Sequence, residues 1–268
     1  GDVGETARAL LPMLRVGRDS DHLRSALEHY GKTRAQLDEL ATDDGHTPIY
    51  PEFLTRLIDE AAADDAVFVP DVGSPVTWAA RYLHIHSGRR LVGSFSHGSM
   101  ANALPHALGA QAVDRDRQVI ALAGDGGLAM LMGDLLSLRQ NDLPVKIVVY
   151  NNSSLNFVEV EMKAAGIVNF GTGLDNPDFA AVAESVGITG IRVDEPGQLR
   201  GALERALSEP GPALIDVAVA RQELSIPPSI SAAQAKGFAL YALRTVMSGR
   251  GDELLDLADT NVWRRLFH

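Results

Sequence analysis

Asp125 stands between glycines directly after an apolar run, in QVIALAGDGGLAML, and Asn151 and Asn152 close the next apolar run, VKIVVYNN. Asp and Gly are both poor in the interior of regular elements. Their position at the end of one run and the start of another asks for a chemical reason. Gly126 and Gly127 let the backbone come close to a ligand, and the free N–H groups of a helix start favour phosphate. A carboxylate in that position repels phosphate unless a cation lies between them. Mg2+ is the simplest choice, a hard cation that takes oxygen ligands and bridges to phosphate oxygens. An Asn side-chain oxygen and a loop carbonyl from the end of VKIVVYNN can complete the shell if both strand ends lie on one edge of a sheet.

The surrounding elements are of the kind that puts them there. Residues 5–14 and 20–40 read as helices, the second with Leu23, Leu27, Tyr30, Leu37 and Leu40 near helical spacing. TDDGHTP at 42–48 reads as a turn or linker. From Pro51 onward helix and strand alternate. Strands are predicted at 66–73, 90–95, 118–124, 145–152, 188–193 and 213–219, and helices at 51–62, 75–83, 100–112, 128–139, 178–186 and 197–207. The strands are short and apolar on both sides, the pattern of a parallel sheet buried between helices. The expected fold is therefore α/β, a mostly parallel, roughly six-stranded sheet with helices on both faces and a helical N-terminal segment. Parallel strands place the Asp125 and Asn152 ends on the same, carboxyl, edge, where open α/β sheets bind ligands.

Composition narrows the chemistry. The chain has 268 residues, a formal net charge of −11 and no cysteine. The acidic balance without a basic run speaks against nucleic acid as a partner. Disulfides, zinc–thiolate centres and cysteine nucleophiles are excluded, which suits a cytoplasmic setting. GDVGETARALLPML lacks a basic n-region and does not read as a signal peptide.

The GDG of 124–126, followed after residues 127–150 by NN, is the thiamin diphosphate signature. Further stretches carry the likeness over essentially the whole chain: DDAVFVPDVGSPVTWAARYL, GSFSHGSMANALPHALGAQA, SIPPSISAAQAKGFALYALR and SGRGDELLDLADTN. Together they resemble the bacterial quinone-dependent pyruvate oxidases, membrane-associated flavoproteins that use thiamin diphosphate and FAD. The resemblance implies that Asp125, the Asn152 side chain and the Ser154 carbonyl hold Mg2+. It implies that Gly73, Ser74, Gly126 and Gly127 cradle the diphosphate. Met100 then wedges pyrimidine and thiazolium into a V shape, and the Gly98 carbonyl accepts a hydrogen bond from the 4′-amino group. Val72, Phe157 and Val158 wall a small acyl pocket. Phe157 also stands between thiamin and flavin, and Glu161 is an acidic group near the substrate. His97 remains a weak candidate.

The resemblance also implies what lies elsewhere. The glutamate that activates the aminopyrimidine belongs to a pyrimidine-binding domain of a partner subunit, and FAD to a middle domain. Residues 1–45 then come from the end of that middle domain, 46–250 form the diphosphate-binding domain, and 251–268 form an amphipathic tail. In that tail Leu255, Val262, Trp263, Leu266 and Phe267 fall beside two arginines, which fits an interfacial helix. The implied protein is a homo-oligomer on the inner face of the cell membrane. It oxidises pyruvate to acetate and CO2 and passes electrons through FAD to quinone, and this chain is inactive alone. Two other readings compete: a carboligase of acetolactate-synthase type, against which SGRGDELLDLADTN speaks, and a non-catalytic or split-chain cofactor module.

Overall fold

Apolar runs just long enough to cross a sheet dominate the core. The computed structural model describes residues 1–15, 17, 20–43, 45–86, 88–221 and 232–258. Six strands form one sheet: β1 (Val67–Pro70), β2 (Arg90–Leu91), β3 (Val119–Gly124), β4 (Lys146–Asn151), β5 (Thr189–Val193) and β6 (Ala213–Ala218). Their order is β2-β1-β3-β4-β6-β5, and every pairing is parallel. The expected α/β fold is thus present, with all six strands where the sequence puts them.

The helices are α1 (Val3–Leu10), α2 (Asp21–Leu40), α3 (Pro51–Ala61), α4 (Ser74–Tyr82), α5 (Ala103–Val113) and α6 (Asp125–Met130). They continue with α7 (Leu135–Gln140), α8 (Asn156–Ala164), α9 (Phe179–Ser185), α10 (Pro196–Ser208), α11 (Ala232–Met247) and α12 (Asp252–Ala258). Side chains alternate across a strand. Val119, Ala121 and Ala123 of β3 therefore share one buried cluster with Ala103 and Leu104 of α5, Leu135 and Leu138 of α7, and Phe179 of α9. Ile120 and Leu122 point the other way and are equally buried, where α4 lies against β1 and β3. Helices cover both faces, which is why each strand reads as a continuous apolar run.

The chain divides into two compact units, Gly1–Glu39 and Leu40–His268. In the first, neither α1 nor α2 has a buried residue.

Three local expectations change. The helix expected over 128–139 is broken into α6, a 3-10 turn at Met132–Asp134, and α7, because Leu131 leaves helical geometry at φ −126°, ψ 29°. The helix expected from residue 100 starts at Ala103, so Met100 lies in a loop; Ala101 at φ 63° keeps the helix from reaching back to it. Residues 156–164, to which the sequence assigned no element, form α8, whose inward positions Asn156, Glu159 and Lys163 are polar and leave little apolar stripe to read.

Candidate functional site

In a parallel sheet all strands end on the same side, so the loops after β1, β3 and β4 converge there. They enclose a cleft of about 230 Å³. Val72, Gly73 and Ser74 enter it from β1, Met100 from the loop before α5, Asp125, Gly126 and Gly127 from β3, and Asn152, Ser154, Phe157 and Val158 from β4 and α8. Eleven residues singled out in the sequence thus share one cleft. Trp78, Tyr150 and Leu155 complete its apolar floor. Gly98 and Glu161 are exposed and outside its lining. Leu255 of α12 is also exposed. Val262, Trp263, Leu266 and Phe267 lie outside the described residues.

Asp125 follows β3 as the first residue of α6 and is 3% exposed. Oδ1 accepts the Gly126 N–H at 2.8 Å and Oδ2 accepts the Asn176 side-chain amide at 2.8 Å. Burial pushes its carboxyl up from the ordinary range, against hydrogen bonds from Gly126, Asn176 and the Ser153 and Ser154 amides. Asn176 also donates to Asn151 Oδ1 at 2.9 Å, fastening the two strand ends together. Asn152 Oδ1 accepts the Ser154 N–H at 3.0 Å, and Ser153 between them has φ 54°. That left-handed serine turns the loop back toward Asp125.

The turn is held from behind by Glu159 of α8, which is fully buried. Its Oε1 accepts Ser154 Oγ at 2.6 Å, Thr172 Oγ1 at 2.9 Å and Arg221 at 2.6 Å, while Oε2 accepts Asn169 at 3.2 Å and lies 3.6 Å from Lys163 Nζ. Burial alone would raise its pKa, but the Arg221 and Ser154 hydrogen bonds and the charges of Lys163 and Arg221 hold it below the usual carboxylate range. Glu159 and Glu161 are two apart on a helix and so point different ways. The inward one anchors the turn, while the sequence reading took the outward one.

The donors suit a hard divalent cation beside a diphosphate. Among the described residues no three His, Asp or Glu side chains cluster. A metal here would be held by the Asp125 carboxylate with amide and carbonyl oxygens, a donor set that fits Mg2+. Gly126 leaves room beside Leu155, whose Cδ2 would be 2.7 Å from an added Cβ. Gly73 caps α4 at φ 118°, a conformation open to glycine, and opens the first turn of that helix toward the cleft.

Sequence reading also passed over Asp71 and Asn176. Asp71 carried a signal: it follows an apolar strand and precedes Val-Gly, much as Asp125 follows one and precedes Gly-Gly. Asn176, in a loop of GLDNPDF, carried none.

Fold and cleft define a doubly wound parallel α/β domain with its ligand-binding edge at the strand ends. Residues 71–217 match the family described as thiamine pyrophosphate enzyme, C-terminal TPP binding domain. Over 260 residues the chain is 33% identical to YdaP of Bacillus subtilis (strain 168), whose name describes it as thiamine pyrophosphate-containing; the match takes in 97% of this chain and 45% of that relative. It is 34% identical over 200 residues to the acetolactate synthase large subunit of Parasynechococcus marenigrum (strain WH8102), covering 70% of this chain and 31% of the relative. It is 30% identical over 213 residues to acetolactate synthase 1, chloroplastic, of Zea mays, covering 74% and 33%. The chain spans less than half the length of these relatives. It belongs to the thiamine pyrophosphate enzyme family and carries that family's C-terminal, cofactor-binding domain.

Proposed function

We propose that this chain is the diphosphate-binding part of an enzyme that decarboxylates pyruvate oxidatively to acetate and CO2, with thiamin diphosphate and Mg2+, its electrons leaving through FAD to a membrane quinone. The observation that carries this reading is one cleft that joins hard oxygen donors at Asp125, Asn152 and Ser154 to the apolar side chains Val72, Phe157 and Val158. Bound there, thiamin diphosphate supplies an electron sink for the bond that decarboxylation breaks. The chain's own residues do the holding. Asp125, Asn152 and the Ser154 carbonyl take the cation, and the amides of Gly73, Ser74, Gly126 and Gly127 take phosphate oxygens. Met100 supports the ring half, and the Gly98 carbonyl accepts from its amino group. Val72, Phe157 and Val158 exclude water and bound a short acyl group. Gly98 and Glu161 keep their roles on resemblance alone, both lying outside the cleft lining.

FAD, a homo-oligomeric assembly, a cytoplasmic position on the inner membrane face and lipid contact through 251–268 belong to the same proposal. They rest on the resemblance, over essentially the whole chain, to quinone-dependent pyruvate oxidases. Among the described residues no helix is long and apolar enough to cross a membrane. A carboligase of acetolactate-synthase type is the second reading, favoured by the relatives that bear that name.

The complete protein supplied with thiamin diphosphate, Mg2+, FAD and pyruvate is expected to yield acetate and CO2 while reducing a quinone analogue. Acetolactate formed without acceptor reduction replaces the first reading with the second. This chain alone is expected to give no pyruvate-dependent dye reduction; turnover by it refutes the assignment of the activating groups to the remainder.

A further inference from the structure

The cleft wall opposite the metal turn is organised by a second buried carboxylate. Asp71 directly follows β1 and is 1% exposed. Its Oδ1 accepts the Val72 N–H at 3.0 Å, the Asn102 N–H at 3.1 Å and the Asn102 side-chain amide at 3.0 Å. The Ala101 N–H is a further donor to the same carboxyl. Asn102 in turn accepts the Ser94 N–H at 3.1 Å and donates to the Ser99 carbonyl at 3.1 Å. The loop 94–102 is therefore gathered at its start, near its end and at its end onto one side chain.

Within that loop lie Gly98, at φ 74°, and Met100, followed by Ala101 at φ 63°. A left-handed alanine is strained by its Cβ and persists only where the surroundings over-determine it. The Asp71–Asn102 clamp is that surrounding. On its other side Asp71 meets the α6 turn: a Cβ at Gly127 would collide with Asp71 Oδ2 and lie 3.3 Å from the Ala101 nitrogen. One carboxylate thus sets the spacing of three elements around the cleft: the β1 end, the 94–102 loop and the start of α6.

We propose that Asp71 is a positioning residue that acts through Asn102, fixing Met100 against the α6 turn, where its Cε lies 3.8 Å from a Cβ placed on Gly126, and so shaping the half of the cleft that receives the thiamin ring. The inference rests on the reading of the cleft given above. It separates the two halves of the cofactor by the loops that meet them: the Asp125 turn serves the diphosphate, and the 94–102 loop that Asp71 fastens through Asn102 serves the ring.

Calorimetry with two probes tests it, Mg2+ with thiamin diphosphate and Mg2+ with inorganic pyrophosphate, the second lacking any ring. Asp71→Asn keeps the shape but sets an amide against the Ala101 N–H, and Asn102→Ala removes the clamp while keeping the backbone. Each is expected to weaken thiamin diphosphate binding about tenfold, the scale of a lost hydrogen bond to a charged group. Each should leave pyrophosphate affinity within about twofold, and the double variant should be no weaker than the worse single, as coupled residues behave. A merely structural role would move both probes together or neither, and either result overturns the proposal. Pyrophosphate affinity also reports folding; if Asp71→Asn does not fold, Asn102→Ala carries the test. An unaltered chain that binds both probes alike removes the ring wall and this inference with it. One that binds neither refutes the cofactor reading itself, a failure seen before any variant is made.

Discussion

The two ends of the sheet both bury charge but satisfy it differently. At the amino end the buried cations are closed off mainly by carbonyls, with Arg89 also paired to the Asp59 carboxylate at 2.6 Å. Lys146 donates to the Glu209 and Gly211 carbonyls, Arg89 to those of Asp59, Ala62, Ala63 and His84, and Arg117 to those of Asp65 and Gly88. At the carboxyl end the buried carboxylates fall into two sets. Behind the cleft, Glu159 holds Arg221 and Lys163, and Asp216 holds Arg192 at 2.7 Å. Facing the cleft, Asp71 and Asp125 accept from amide N–H groups, and burial raises both carboxyls. The amino end is finished by the fold itself. Asp71 and Asp125 are desolvated carboxylates without an ion pair among the described residues, and Asp125, beside the oxygens of Asn152 and Ser154, is suited to a cation brought by a ligand.

The largest expected effect is at the open anion. Asp125→Ala removes the charge that draws Mg2+, so Mg2+-linked thiamin diphosphate binding should fall beyond the ~100-fold upper range of outer-partner changes. Calorimetry that finds Mg2+-linked binding unchanged would remove Asp125 from the metal shell. Next comes the closed anion behind it. Glu159→Gln takes the carboxylate away from buried Lys163 and should cost roughly 3 kcal/mol in urea unfolding, the scale of breaking a buried pair. Adding Lys163→Met should return part of that loss, and a double variant no better than the single would show that the pair is not the source.

Asn176→Ala should be milder still. It removes the donor that orients Asp125 Oδ2, so Mg2+ affinity is expected to drop about tenfold, as for other outer partners of metal ligands. Melting temperature should barely move; a large drop there would make Asn176 a fold residue. The smallest effect belongs to the amino end. Burial draws the Lys146 ammonium down to about 8, against the pull of Glu209. Its folded pKa then lies below the unfolded value of ~10.4, so between them the unfolded chain binds more protons. Stability owed to this residue rises with pH across that window, by at most about 1.4 kcal/mol per unit. The stability of the parent chain relative to Lys146→Met should therefore rise from pH 8 to 10, and a flat difference would contradict the buried-ammonium picture.

What could be read without coordinates follows from periodicity and from position. A strand covered on both faces has no polar side to interrupt it, so β3 and β4 stand out as apolar runs, and the sheet's class follows. Asp125 and Asn152 were legible because they end such runs, and parallel strands carry their ends to one edge. Glu159 and Glu161 were not separable by that logic. Both sit on a short helix whose inward stripe is polar, and only the partners Ser154, Thr172 and Arg221 decide which one turns in.

The chain's own order of residues thus determined the strands, the parallel sense and the edge at which chemistry gathers, because these depend on local patterning and on the chirality of the crossover connections. Tertiary structure alone decided the strand order β2-β1-β3-β4-β6-β5, the break of the helix at Leu131, and the meeting of Asp71 with Asn102 and of Asp125 with Asn176. Those contacts join residues 31 and 51 positions apart. No period in the sequence spans such distances; they form because burying a carboxylate demands donors, and the folded loops bring the nearest amides to it.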